Sequence, residues 1–268
     1  MKDNSICIEN LANDEYKKHL ASENKVILIQ RNQKLINAFE SKNIQNIKNI
    51  ITDVVEETFN KPRKSNIESI AYTVKILTEN YALNPEIIGQ LHNMALKDSV
   101  TVLHSINVMA MTLKFCYHAG GHFKNEIENY ALAGLLHDIG KTQISDEILK
   151  APRKLTKQED LKIKEHPIIG YNILKNCKID AKVAEATYQH HQKLDGSGYP
   201  KIKKEISETA QVLGIIDCYD ALTACRSYNE TIILPAALKM LKKDVDEGKL
   251  NKYIFKDFKN SLINNYID

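Results

Sequence analysis

Apolar and polar positions recur along most of this chain with the period of a helix. Between Leu35 and Phe59 the apolar residues Ile36, Phe39, Ile47, Ile50, Ile51, Val54 and Val55 return at spacings of three and four, which predicts one helix with a single buried face. KPRK at 61–64 breaks it. Ser65 with Glu68 carries the S-x-x-E signature of a capping box, so a second helix is expected from about Ile67 to Tyr81. Asn84-Pro85 marks the next start, and Gly120-Gly121 ends the helical stretch around His104. A helix is expected from about Phe123 to Ile139, stopping at Gly140. Thr156 with Glu159 supplies another capping box, Pro167 opens a helix after His166, and a further helix ends near His191. Ser207 is a fitting N-cap for ETAQVLGIIDCYDALTAC, and two more helices close the chain. VILI at 26–29 is the one strand candidate, too isolated to make a sheet. The fold class that follows is all-α, with the best boundary around 82–85, separating a mainly helical region over 1–84 from a larger domain over 85–268.

A length of 268 residues with 43% apolar content suffices for one large core or for two ordinary domains. The five cysteines are odd in number, scattered, and never form a C-x-x-C pair. That usage points to reduced thiols in the cytoplasm and away from a disulfide framework or a thiolate zinc site. The first residues, MKDNSICIENLANDEYKKHL, are acidic where a signal peptide would be apolar. No apolar run approaches the roughly 20 residues that span a bilayer. A net charge of +3 lacks the dense basic footprint of a nucleic-acid binder, yet allows an anionic small-molecule substrate.

The chemistry is carried by histidines in apolar surroundings. His137 and Asp138 follow a long apolar run in LAGLLHDIGK, near a helix C-terminus where the dipole disfavours a carboxylate and burial makes an unpaired one costly. An isolated His-Asp pair reads more simply as a hydrogen-bonded core histidine beside an exposed aspartate. Here the oddity repeats at His104 in VLHSINVMAM, His166 in KEHPIIGYNIL, Asp217 in GIIDCYDALTA, and the adjacent pair His190-His191. Five histidines and two aspartates without thiolate suit iron(II), manganese or a similar octahedral metal better than structural zinc. Seven donors are too many for one ion with open positions. They fit two ions bridged by a carboxylate, an arrangement that polarises a phosphoryl group and activates water.

In order, HS-x-x-V at 104, HDIGK at 137–141, HP-x-x-G at 166–170, HH-x-x-x-DG-x-GYP at 190–200 and D-x-x-DALT-x-x-R at 217–226 closely resemble the HD-GYP family, a branch of the HD-domain metal phosphohydrolases. The resemblance covers about residues 95 to 268. It implies an HD-GYP-like helical bundle with a two- or three-iron centre, and phosphodiesterase activity on the bacterial second messenger cyclic di-GMP. Carried over by motif position, the metal ligands are His104, His137, Asp138, His166, His190, His191 and Asp217, with Asp138 as bridge. Lys141 joins Asp138 in the catalytic set and reaches a substrate phosphate, Tyr199 lines a guanine pocket, and Arg226 contacts phosphate or base through its planar fork. For Asp195, shaping the glycine-rich turn is at least as good a reading as catalysis. Gly196 and Gly198 are expected to supply backbone freedom there. His19, His92, His118 and His122 match no motif.

The chain also departs from the family pattern. Members with a third metal carry a glutamate one turn before the first histidine, where this chain has Val100, so two divalent ions, iron or manganese, are expected. Gln192, Ser227 and Asn229 replace residues common in the family, the last a basic residue that helps hold substrate phosphates. Other readings are a metal phosphohydrolase acting on another cyclic dinucleotide or nucleotide, and a non-catalytic cyclic di-GMP sensor. Expected partners are cyclic di-GMP and either a second copy of the chain or a diguanylate cyclase domain protein, with no nucleic acid and no membrane. Residues 1–84 are assigned a regulatory or dimerising role.

Overall fold

A computed structural model describes residues 26–81, 101–201, 204–223 and 234–263, and every regular element among them is helical. The chain divides into two compact units, residues 1–50 and 51–268. The boundary expected at 82–85 and the helix start at Asn84 lie outside the described residues.

In the first unit, residues 26–40 form helix α1, so the strand expected at 26–29 is a helix. Val26, Ile27 and Ile29 stand exposed on it. Their β-branched side chains favour a strand only where another strand satisfies their backbone groups; none is present among the described residues, and a helix satisfies its own. The single helix expected over 35–59 is two. Lys42 adopts φ 51°, Asn43 N–H bonds the Ala38 carbonyl at 2.9 Å and Lys42 N–H bonds that of Phe39 at 3.0 Å, a Schellman close to α1. Asn43 then caps α2 (Ile44–Asn60), its Oδ1 accepting from Asn46 N–H at 3.0 Å. Periodicity hid the break because Phe39 and Ile47 are both buried on either side of it.

In the second unit, α3 (Lys64–Tyr81) starts earlier than expected. The capping box at Ser65 does not form: Ser65 Oγ bonds Asn66, and Glu68 faces Lys64 at 3.6 Å. Asn66, itself buried, instead closes the turn by donating to the carbonyls of Glu57 and Lys61. α4 (Thr101–Ala119) is buried over most of its circumference because it packs against α6, α11 and α13 at once. The helix expected from Phe123 to Ile139 is divided into α5 (Gly121–Asn125), α6 (Ile127–Leu136) and a 3₁₀ turn, Ile139–Gln143. α6 stops early where the His137 side chain takes the Gly134 carbonyl that a continuing helix would use.

Beyond it lie α7 (Asp146–Leu149) and α8 (Lys157–Ile163), whose Thr156–Glu159 capping box forms in full. α9 (His166–Asn176) begins with Pro167 in its first turn, and α10 (Ala181–Gln189) is capped by Asp180. α11 (Glu208–Thr223) receives its cap from Ser207, whose Oγ accepts from Ala210 N–H at 3.3 Å; α12 (Leu234–Asp246) and α13 (Lys252–Ile263) follow. α9 packs on the 3₁₀ turn and on α10, and α10 packs on α6 and α11, so the elements that carry His166 and Asp217 meet those whose ends carry His137, Asp138, His190 and His191. None of the described helices is long and apolar enough to cross a membrane.

The capping box at α8 yields a direct test. Thr156→Ala removes one of its two hydrogen bonds and is expected to lower unfolding free energy by about 1 kcal/mol in urea titration.

Candidate metal centre

His104 projects from the first turn of α4, His137 caps the C-terminus of α6 with Asp138 following, and His166 opens α9. His190 caps the C-terminus of α10, His191 follows it, and Asp217 lies mid-way along α11. These seven residues, far apart in sequence, share one cluster. Donor atoms come within 4.8 Å of one another in each of three overlapping groups: His166, His190 and His191; His104, His137 and Asp217; His137, Asp138 and His190.

Backbone geometry sets which nitrogen faces the cluster. Nδ1 of His137, His166 and His190 lies 2.8, 2.7 and 2.7 Å from the carbonyls of Gly134, Ile163 and Thr187. A carbonyl only accepts, so each Nδ1 donates its hydrogen there and each Nε2 turns inward. Inward, acceptor meets acceptor. His166 Nε2 lies 3.2 Å from His190 Nε2 and 3.3 Å from Asp138 Oδ1, while His137 Nε2 lies 3.4 Å from Asp138 Oδ2. Asp138 Oδ1 is buried and has no hydrogen-bond partner. Lone pairs converging on a buried carboxylate are the donor set that a divalent cation requires.

The electrostatics agree. Burial, reinforced by the neighbouring imidazoles, keeps His190 neutral far below its ordinary pKa; burial also lowers His166, and it pulls His191 down to about 4 against the opposing pull of Asp217. Burial opposes ionisation of Asp138 and Asp217, yet the Lys141 ammonium holds the first carboxyl well below its usual range, and the hydrogen bond from His104 does so for the second. His104 is the exception. Burial works against its charge, but hydrogen bonds to Asp217 and Asp220 raise it to about 10.

The other expected site residues divide. Lys141 in the 3₁₀ turn donates to Asp138 Oδ2 at 2.5 Å, so its ammonium lies against the shared carboxylate. Tyr199 stacks on His191 with ring centres 4.6 Å apart, and its N–H bonds the His191 carbonyl. Arg226 lies outside the described residues, as do Val100, Ser227, Asn229, His19 and His92. Asp195 is exposed and accepts from Ser197 N–H and Oγ, the turn-shaping reading. His122 pairs with Glu208 at the surface, and His118 joins none of the donor groups. Asp220 received no role in the sequence reading. Its Oδ2 lies 2.6 Å from His104 Nδ1, and the signal for it was the spacing of three residues from Asp217 on one helix.

Two glycines hold these elements close. A Cβ at Gly140 would lie 1.9 Å from the His166 carbonyl oxygen, so the turn after Asp138 can press on the start of α9 only without a side chain. A Cβ at Gly198 would lie 2.2 Å from the His191 carbonyl oxygen. Gly198 therefore serves close approach, whereas Gly196, at φ 77°, supplies the backbone freedom expected of it. The buried Gln189 side chain closes the segment between: its Nε2 donates to the Glu205 carbonyl and its Oε1 accepts from Ser207 N–H.

A family model described as HD domain matches residues 108–252, more than half of the chain. The chain belongs to the HD domain family. HDIGK at 137–141 and GYP at 198–200 give it the motifs of the HD-GYP branch, as the sequence resemblance implied. A cyclic di-GMP phosphodiesterase of Pseudomonas aeruginosa is 34% identical over 151 residues, covering 55% of this chain and 36% of that protein. A 3'3'-cGAMP-specific phosphodiesterase of Vibrio cholerae is 31% identical over 161 residues, covering 59% and 37%. The chain thus spans about a third of the length of these curated relatives. A solved HDG"Y"P protein of Bdellovibrio bacteriovorus superposes with a TM-score of 0.70 at 18% identity, over 86% of this chain and 77% of that one, which extends the likeness of fold well beyond the family match.

Two measurements probe the cluster. Gly140→Ala is expected to cost about 1–3 kcal/mol in denaturant unfolding through overpacking against α9. Chelator-stripped protein should melt at a lower temperature than protein given manganese(II); at a hundredfold excess over Kd the gain is about 2.7 kcal/mol, read by calorimetry.

Proposed function

We propose that this chain hydrolyses cyclic di-GMP, using two divalent ions held side by side. The observation that carries the reading is the pair of three-residue donor groups, His104 with His137 and Asp217 and His166 with His190 and His191, flanking the buried carboxylate of Asp138. Asp138, with one oxygen toward each group, would serve both ions. Iron or manganese bound there would supply polarisation of a phosphoryl oxygen and activation of water. The chain's own groups do the rest. Lys141, anchored on Asp138, offsets negative charge gathering on the phosphate, Tyr199 presents a ring face to a nucleobase beside His191, and Arg226 serves phosphate or base. The product is linear pGpG, GMP, or both in succession.

The names of the relatives support this substrate class, and the cGAMP-specific relatives favour a second reading in which another cyclic dinucleotide is the substrate. A purely sensing role is disfavoured because all seven donors are retained. Residues 1–84 act as a regulatory or dimerising region, and residues 85–268 as the catalytic domain. The partner is a second copy or a diguanylate cyclase domain protein.

The test is anaerobic turnover by protein loaded with iron(II) or manganese(II), with metals counted per chain and cyclic di-GMP, 3'3'-cGAMP and products separated chromatographically. His137→Ala and Asp138→Ala are expected to lower turnover of the preferred substrate more than about 100-fold, beyond the loss typical of a residue that only supports a ligand. Wild-type rates in either folded variant would overturn the reading.

A further inference from the structure

His104 differs from the other inward imidazoles in what holds its far nitrogen. His137, His166 and His190 each give Nδ1–H to a backbone carbonyl three residues upstream, a neutral dipole. His104 gives Nδ1–H to the carboxylate of Asp220, at 2.6 Å. Asp220 is 1% exposed, and its second oxygen, Oδ1, is buried without a hydrogen-bond partner. Asp217 and Asp220, three residues apart on α11, therefore take the two edges of a single ring: Asp217 Oδ1 lies 3.1 Å from Nε2, while Asp220 holds Nδ1.

This makes the two donor groups unequal in charge. Both share Asp138. The group of His104, His137 and Asp217 adds one carboxylate in contact and a second directly behind an imidazole. The group of His166, His190 and His191 adds three rings: two are supported by carbonyls, and the third, His191, stacks on Tyr199 and meets a carboxylate only at 3.7 Å, through Asp217 of the other group. A carboxylate behind a ligating imidazole fixes its tautomer and orientation and makes the inward nitrogen a stronger donor. We propose that Asp220 is a positioning residue that makes the His104 subsite the tighter of the two, so that it fills first and the three-histidine subsite exchanges its ion. The inference rests on the two-ion reading above.

The experiment titrates metal-stripped full chain with manganese(II), following free ion by electron paramagnetic resonance. Wild-type protein is expected to bind two ions in separate steps. Asp220→Asn keeps an acceptor for Nδ1–H but removes the charge; it is expected to weaken the tight step about 10–100-fold and leave the weak one in place. His166→Gln should abolish the weak step and retain the tight one, which tests the order of filling even if Asp220 variants fail to fold. Two equal steps in wild-type protein, an unchanged tight step in folded Asp220→Asn, or loss of the tight step in His166→Gln would each overturn the inference while leaving two-ion binding intact. A wild-type chain that binds no manganese(II) would instead remove the two-ion reading, and this inference with it.

Discussion

The centre of this protein is organised by a repulsion. His166 Nε2, His190 Nε2 and Asp138 Oδ1 face one another at 3.2 and 3.3 Å in a buried space, each with its hydrogen committed elsewhere or absent. Lys141 offsets the charge of Asp138 from one side, but each buried acceptor left without a donor costs on the order of 1–3 kcal/mol, and a bundle of ordinary stability has little margin for it. Much of the surrounding architecture can be read as the means of holding these atoms together against that cost. α4 is enclosed by three helices, the 3₁₀ turn is pressed on α9, and four of the five imidazoles are tethered through their outer nitrogens.

The tethers explain why the histidines sit at helix ends. His137 and His190 cap α6 and α10, and each reaches back to the carbonyl three residues before it. At a helix terminus such carbonyls lack a backbone partner, so a side chain can take one without displacing a regular bond. His104 stands within α4, where upstream carbonyls are already engaged by the helix, and so it turns to a side chain on another element.

How much of this was legible in the sequence depended on range. Helices whose ends are set by their own residues could be read, as at Thr156, Pro167 and Ser207. So could the seven histidines and aspartates that the fold gathers into one cluster, because polar groups stand out in apolar stretches. The strand at 26–29 failed since β-branched residues do not decide between strand and helix without a pairing partner. The break at 41–43 was invisible because it occurs at Lys42, which carries no turn signature, and leaves the apolar pattern intact. Ser65 carried a capping signature that the buried Asn66 overrode. Asp220 and the close approach at Gly198 were missed because each acts on a residue distant in the chain or on a backbone atom, and neither leaves a periodic trace. The family match itself begins at residue 108, so His104 enters the cluster through the fold rather than through that match.

Gln189 stands immediately before the paired histidines and fastens the far end of the segment that leaves from them. The stretch from Gln192 to Ile206 is therefore a closed excursion with its base clamped. Lengthening such an excursion is cheap, about 0.6 kcal/mol per doubling. Its exposed tip around 194–197 can thus take insertions over evolutionary time, while Gly198 and Tyr199, held against His191, and the two imidazoles at its root keep their places.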